Sequence, residues 1–305
     1  ATTSSSSSTA ADPGWRRRVK GEWKLLLSSS AVAEVLKLMF PSLPLEELQT
    51  VKVVQELPYR DVSAAAASYT PASGCVPASL RLNLRSSQSV SRFQIPAFTF
   101  YWGSTGRHLV QVAEQCFAPF SCLHSGLLSD LYPGFTHGWS VYATQLAGEL
   151  GLYASALEQV GALLVRFTAA LKCVVDVSLH LPGAEVQWSR ERAARYISVN
   201  TGIKEEVAME EVERCLVAPG AACAGFVGLK QLLSLRALCR ANLGAHFSTS
   251  SFHAAVLEHG PMPLHALNKH IRRWLDSQLP SLHHTSHAQS SSSSSSNGKP
   301  SAKVV

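Results

Sequence analysis

The chain reads as mainly α-helical with one small β-sheet, and three observations predict this. Long segments carry apolar residues at the i, i+3, i+4, i+7 spacing of an amphipathic helix. Pro41 and Pro44, Pro219-Gly220, and Gly244 stand where three of those segments stop. Only two short runs, Val51 to Gln55 and Leu80 to Leu84, have β-branched or alternating character. With 305 residues and 46% hydrophobic composition, the chain can bury a sizeable core.

Taken in order, Gly21 to Met39 is predicted as a helix whose apolar face holds Leu25, Leu26, Val32, Val35, Leu36 and Leu38, and Leu45 to Thr50 as one further turn. The two strands follow, separated by a loop over Ala64 to Ser79 that is rich in Ala, Ser and Pro. From Gly106, the residues Leu109, Val112, Ala113 and Cys116 fall at helical spacing, and Gly138 to Tyr153 continues helically. Leu157 to Leu181 is apolar enough for a buried helix, with Asp176 among Val and Leu; buried there, it needs an Arg partner, Arg214 or Arg166, or backbone donors. Ser189 is expected to cap a helix to Asn200. Further helices span Val207 to Val217, Ala221 to Leu243 ending at Gly244, a segment capped by Ser250 or Ser251 and running through Leu257, and Leu264 to Leu279.

Residues 1–14 and 280–305 are Ser-rich and lack the apolar residues that offset ordering entropy, so they are expected to be disordered tails around a domain at 15–279. The net charge of +6 and pI of about 9.0 raise the question of nucleic acid. The one dense basic run, Trp15-Arg16-Arg17-Arg18-Val19-Lys20, reads as a solvated helix start, and no nucleic-acid ligand is expected. No run is long and apolar enough to span a membrane. Seven cysteines without a Cys-x-x-Cys pair favour reduced thiols and a cytoplasmic setting.

Five motifs in order carry a resemblance. They are Gly106, His108 and Leu109; Gly138, Trp139, Tyr142 and Ala143; Asp176 and His180; Glu211, Val212, Arg214, Pro219 and Gly220; and Phe252, His253, Leu257, Gly260, Pro263 and Leu264. This pattern resembles the C-terminal half of the domain-of-unknown-function 885 (DUF885) family, whose members are similar to gluzincin-type zinc metallopeptidases. The resemblance implies a helical metallopeptidase-like scaffold with a small β-sheet near the cleft. It also implies a fragment of a longer protein, since the family domain carries a helical N-terminal half without a counterpart here.

By the same resemblance, Tyr101 stands at the first metal-ligand His, Trp102 at the general-base Glu, Arg107 at another box His, and His137 at the Glu that opens the second motif. Zinc needs imidazole or carboxylate ligands, an open position for water, and a carboxylate to take that water's proton. Trp102 cannot titrate, and Arg107 carries a fixed positive charge. The expectation is therefore a catalytically inactive relative, without a cofactor, that keeps a peptide-binding cleft with Leu80 to Leu84 as its edge strand. Arg214, Asn83 and Tyr142 are the candidate substrate-binding residues. The alternative is a hydrolase with a substituted zinc site built on His108 and His137. A third reading gives binding to the basic N-terminal run. A Cys215 nucleophile beside His180 has no local support.

Overall fold

The computed structural model describes residues 13–27, 30–41, 51–56, 67–72, 76–83, 91–103, 105–117, 127–181 and 187–291. The expected turn at Leu45 to Thr50 lies outside them. The protein is mainly helical with a small mixed sheet. Helices α1 (Pro13–Leu27) and α2 (Ser30–Met39) cover the stretch from Gly21 to Met39 that was expected to be helical, with residues 28 and 29 outside the described ones. Strands β1 (Lys52–Gln55), β2 (Ala67–Thr70) and β3 (Ser79–Leu82) follow. Then come α3 (Ile95–Trp102), α4 (Arg107–Phe117), the short α5 (Leu127–Leu131) and α6 (Pro133–Glu149). The remaining helices are α7 (Ala156–His180), α8 (Arg190–Thr201), α9 (Glu205–Val217), α10 (Ala224–Leu243), α11 (Thr249–Leu257) and α12 (Leu264–Ser291). The last runs past Leu279, where the helical pattern was expected to stop.

The sheet corrects two expectations. Ala67–Thr70, read as loop, is a strand, and the strand order is β1-β3-β2, with β3 parallel to β1 and antiparallel to β2. The strand expected to form the open edge is therefore the central one. Its backbone groups are used on both sides, so it cannot add a peptide. Trp23 of α1 and Ile95 of α3 cover the buried face of the sheet beside Val53, Ala67, Leu80 and Leu82.

The principal core gathers around the most extensive helix pair, α6 and α10. Their backbones nearly touch. A methyl group on Gly138 would lie 2.5 Å from the Gly228 Cα, and one on Gly228 would lie 1.9 Å from the Gly134 carbonyl oxygen. No side chain fits there, and the close crossing brings whole rows of residues on both helices into contact. A third cluster joins the C-terminal half of α7 to α8 and α9 through Leu171, Val175, Leu179, Ile197, Val212 and Cys215.

Local signals behave as the residues dictate. The Ser189 hydroxyl accepts from the Arg192 N–H at 3.2 Å, and α10 stops at Gly244. The cap of α11 is Ser248, which accepts from Ser251 N–H, because the helix begins earlier than expected. Asp176 resolves its burial without an arginine. Its carboxylate accepts the Gly220 and Ala222 N–H groups, each at 3.1 Å, and pairs with His180 Nδ1 at 2.9 Å. One buried carboxylate thus holds the whole Pro219-Gly220 turn. Helix α7 is not buried all round. Leu157, Val160, Leu163, Phe167, Val174, Val177 and Leu181 line one exposed face.

The glycine crossing gives a sharp expectation for stability. Gly228→Ala forces backbone against backbone and should cost about 3 kcal/mol or more. Gly21→Ala, where nothing lies within 4 Å of the added methyl, should stabilise α1 by roughly 0.5–1 kcal/mol. Denaturant midpoints of the two variants should move in opposite directions.

Candidate functional site

The site is built on the turn between α3 and α4. Gly103 closes α3 by donating to the Thr99 carbonyl at 2.8 Å, and the Thr105 hydroxyl donates to the Phe100 carbonyl at 3.0 Å. A methyl group on Gly106 would sit 2.1 Å from the Tyr101 carbonyl oxygen, so α4 can start directly over the end of α3 only with glycine there. The indole N–H of Trp139 on α6 donates to the Thr105 carbonyl at 3.0 Å, tying the turn to the core helix. Tyr101, Arg107, His108 and His137 are held by this frame.

Tyr101 and His137 meet directly. The phenol oxygen is 2.9 Å from His137 Nδ1, with the rings stacked at 27° and Trp102 edge-on to both. Burial raises the Tyr101 phenol well above its ordinary range, against the Arg107 charge. Burial first, then the charges of Arg107 and Lys172, pushes His137 down to about 4. Both groups are neutral near pH 7, and the phenol O–H donates to the imidazole nitrogen, the stronger acceptor of the two.

His108 forms a second pair of the same kind. Its Nδ1 lies 2.7 Å from the hydroxyl of Tyr69 on β2, whose phenol is also raised by burial. Sequence reading missed Tyr69 because nothing near it signals a site; only the β2–α4 packing brings it there. Between the pairs sits Arg107, buried, its guanidinium donating to Asp130 at 2.7 Å and to the Ser129 carbonyl at 3.3 Å. Buried Glu114 accepts from both the N–H and hydroxyl of Ser129, so α5 is clamped by two charged residues of α4. Arg107 is the one charge that acts on Tyr69, Tyr101 and His137 alike.

The other candidates lie in different settings. Tyr142 is fully buried, with its hydroxyl 2.8 Å from His253 Nε2 and Arg236 over its ring. His253 stacks on Phe40 and is pushed down to about 3, by burial first and then by Arg236. Arg214 pairs with Glu211 at 2.6 Å, and Lys172 pairs with the same carboxylate. Burial raises Glu211, but the two cations outweigh it and hold it down to about 2. Asn83 is buried at the end of β3. Burial pushes the Cys215 thiol up to about 11, the opposite of what a nucleophile requires.

A family model described as "Bacterial protein of unknown function (DUF885)" matches residues 17–271, most of the chain. The chain belongs to the DUF885 family. No curated protein matches. The crystal structure of a protein described as a "putative lipoprotein" from Colwellia psychrerythraea superposes with a TM-score of 0.78 at 27% identity, over 87% of this chain and 44% of that one. A "putative lipoprotein of unknown function" from Shewanella oneidensis shares the fold, with a TM-score of 0.53 at 14% identity, over 86% of this chain and 54% of that one. This DUF885 chain therefore spans about half the length of the solved structures it matches.

The buried imidazoles make stability depend on acid. In the unfolded chain His137 and His253 titrate near 6.5, and in the folded chain near 4 and 3, so between those values the unfolded chain binds more protons. Their contribution is complete above about 6.5 and falls as pH drops, by about 1.4 kcal/mol per pH unit for each histidine. Denaturant titrations between pH 7 and 4 should show that slope, and His137→Gln should reduce it by about half, leaving the share of His253. Tyr101→Phe strands the His137 nitrogen and should cost about 1–3 kcal/mol at pH 7.

Proposed function

We propose that this DUF885 member is a non-catalytic relative of zinc metallopeptidases that binds an extended peptide beside the turn between α3 and α4. The observation that carries the proposal is the Tyr101–His137 hydrogen bond. The resemblance assigns both positions to metal ligands, and here a phenol and an imidazole bond each other across the place where an ion would stand.

The residues do not fit a catalytic zinc. Nδ1 of His108 and Nδ1 of His137 each face a phenol, and a catalytic site takes three protein ligands. Among the described residues, no third His, Cys, Asp or Glu stands with these two at ligand distance. Arg107 adds a fixed positive charge at the pocket, and Trp102 offers no carboxylate to accept a water proton.

Peptide binding requires none of that machinery. Among the described residues β2 pairs only with β3, so its outer edge offers backbone donors and acceptors to an incoming strand. Tyr69 links that edge strand to His108, and the neutral aromatic pairs beside it suit an apolar peptide side chain. The cleft therefore moves from β3, where sequence reading had placed it, to β2.

The test is metal content by mass spectrometry on untagged protein, beside a His108→Ala, His137→Ala variant, with hydrolysis of a mixed peptide pool followed in parallel. The expected result is no zinc that depends on these two histidines and no cleavage above background. About one zinc per chain that the double variant loses, together with cleavage, would overturn the non-catalytic reading.

A further inference from the structure

We propose a surface binding site for a zinc-type divalent cation at the junction of α11 and α12, formed by Glu258, His259 and His270. The ligand atoms of these three side chains all lie within 4.8 Å of one another, and no other described His, Cys, Asp or Glu residues form such a group. Glu258 Oε1 is 2.9 Å from His270 Nε2 and 3.9 Å from His259 Nε2, and the two imidazole rings stand 4.7 Å apart at 58°.

Two imidazoles and one carboxylate form a donor set of borderline softness, suited to zinc rather than to magnesium or calcium. Zinc bonds of about 2.0–2.1 Å place neighbouring tetrahedral ligand atoms about 3.3 Å apart. Side-chain rotations of about 1 Å at the exposed Glu258 and His259 bring this triad to that geometry, and water completes the shell.

The backbone beneath is held firmly, which separates this group from a chance meeting of surface side chains. Glu258 closes α11 by donating its N–H to the Ala254 carbonyl at 2.9 Å. Gly260, at φ +67°, reverses the chain, and its position packs against the Glu114 backbone. The Pro263 carbonyl accepts from Ala266 and Leu267 as α12 begins, and His270 follows on the second turn of that helix. His270 Nε2 also donates to the Ala255 carbonyl at 2.8 Å, one of the last carbonyls of α11. The negative end of that helix favours a cation at this point. Metal binding at Nε2 uses the His270 tautomer protonated at Nδ1, so the proton passes from Nε2 to Nδ1 through solvent and the metal takes the place of the Nε2 hydrogen bonds to Ala255 and Glu258.

The test uses the full chain stripped with chelator. His283, His284 and His287 are replaced by alanine in every sample, because three histidines close in sequence can bind zinc themselves. Calorimetric titration with zinc chloride should give one equivalent. His259→Ala with His270→Ala should abolish it, and Glu258→Gln, which keeps the side-chain shape, should weaken it by about tenfold or more. Cobalt should give a tetrahedral d–d spectrum without a thiolate charge-transfer band. His108→Ala with His137→Ala should leave the equivalent intact. Zinc that persists in the His259, His270 variant, or no zinc bound by a folded parent, would overturn this site. An equivalent that vanishes only in the His108, His137 variant would instead overturn both this proposal and the non-catalytic reading.

Discussion

Everything in the structure hangs on the close crossing of α6 and α10. With Gly134 and Gly138 facing Gly228, the helices approach backbone to backbone, and this proximity sets the depth at which α6 presents its other faces. His137 and Val141 then pack over Gly225, Trp139 reaches the Thr105 carbonyl, and Tyr142 meets His253. A wider crossing would withdraw His137 from Tyr101 and Trp139 from the turn that starts α4. The core and the candidate site share one mechanical origin.

Within that frame the electrostatics run opposite to those of a metal centre. A divalent ion demands acceptors around it and lowers the acidity constants of what it touches. Here the fixed positive charge is a guanidinium held by Asp130 and the Ser129 carbonyl, and it acts on the two phenols and the neutral imidazole of His137. Burial first, then the charges of Arg107 and Lys172, keeps His137 from taking a proton, and burial keeps both phenols from losing one.

The parts of the fold legible in the sequence were those decided locally. Ser189 as a cap and Gly244 as a stop each depend on a few neighbouring residues, and both behave as expected. Tyr101 and His137, far apart in the chain but aligned with one motif series, do meet. The misses are long-range. Ala67–Thr70 has little strand character of its own and becomes a strand by pairing with β3. That same pairing turns β3 from an edge into a centre, which no local pattern encodes. For Asp176 the sequence left an arginine and backbone donors both open, and it is the backbone of a turn more than forty residues away that meets it. The open apolar face of α7 reads identically to a buried one until its neighbours are known.

Residues 137 and 138 show how little separates freedom from constraint along α6. At 137 the ring reaches Tyr101 while its Cβ would meet a methyl group on Gly225 at ordinary contact distance; at 138 any atom beyond hydrogen pries two helices apart. Architecture and chemistry are thus written on alternate faces of a single helical turn, and mutation can explore one while the other stands guard.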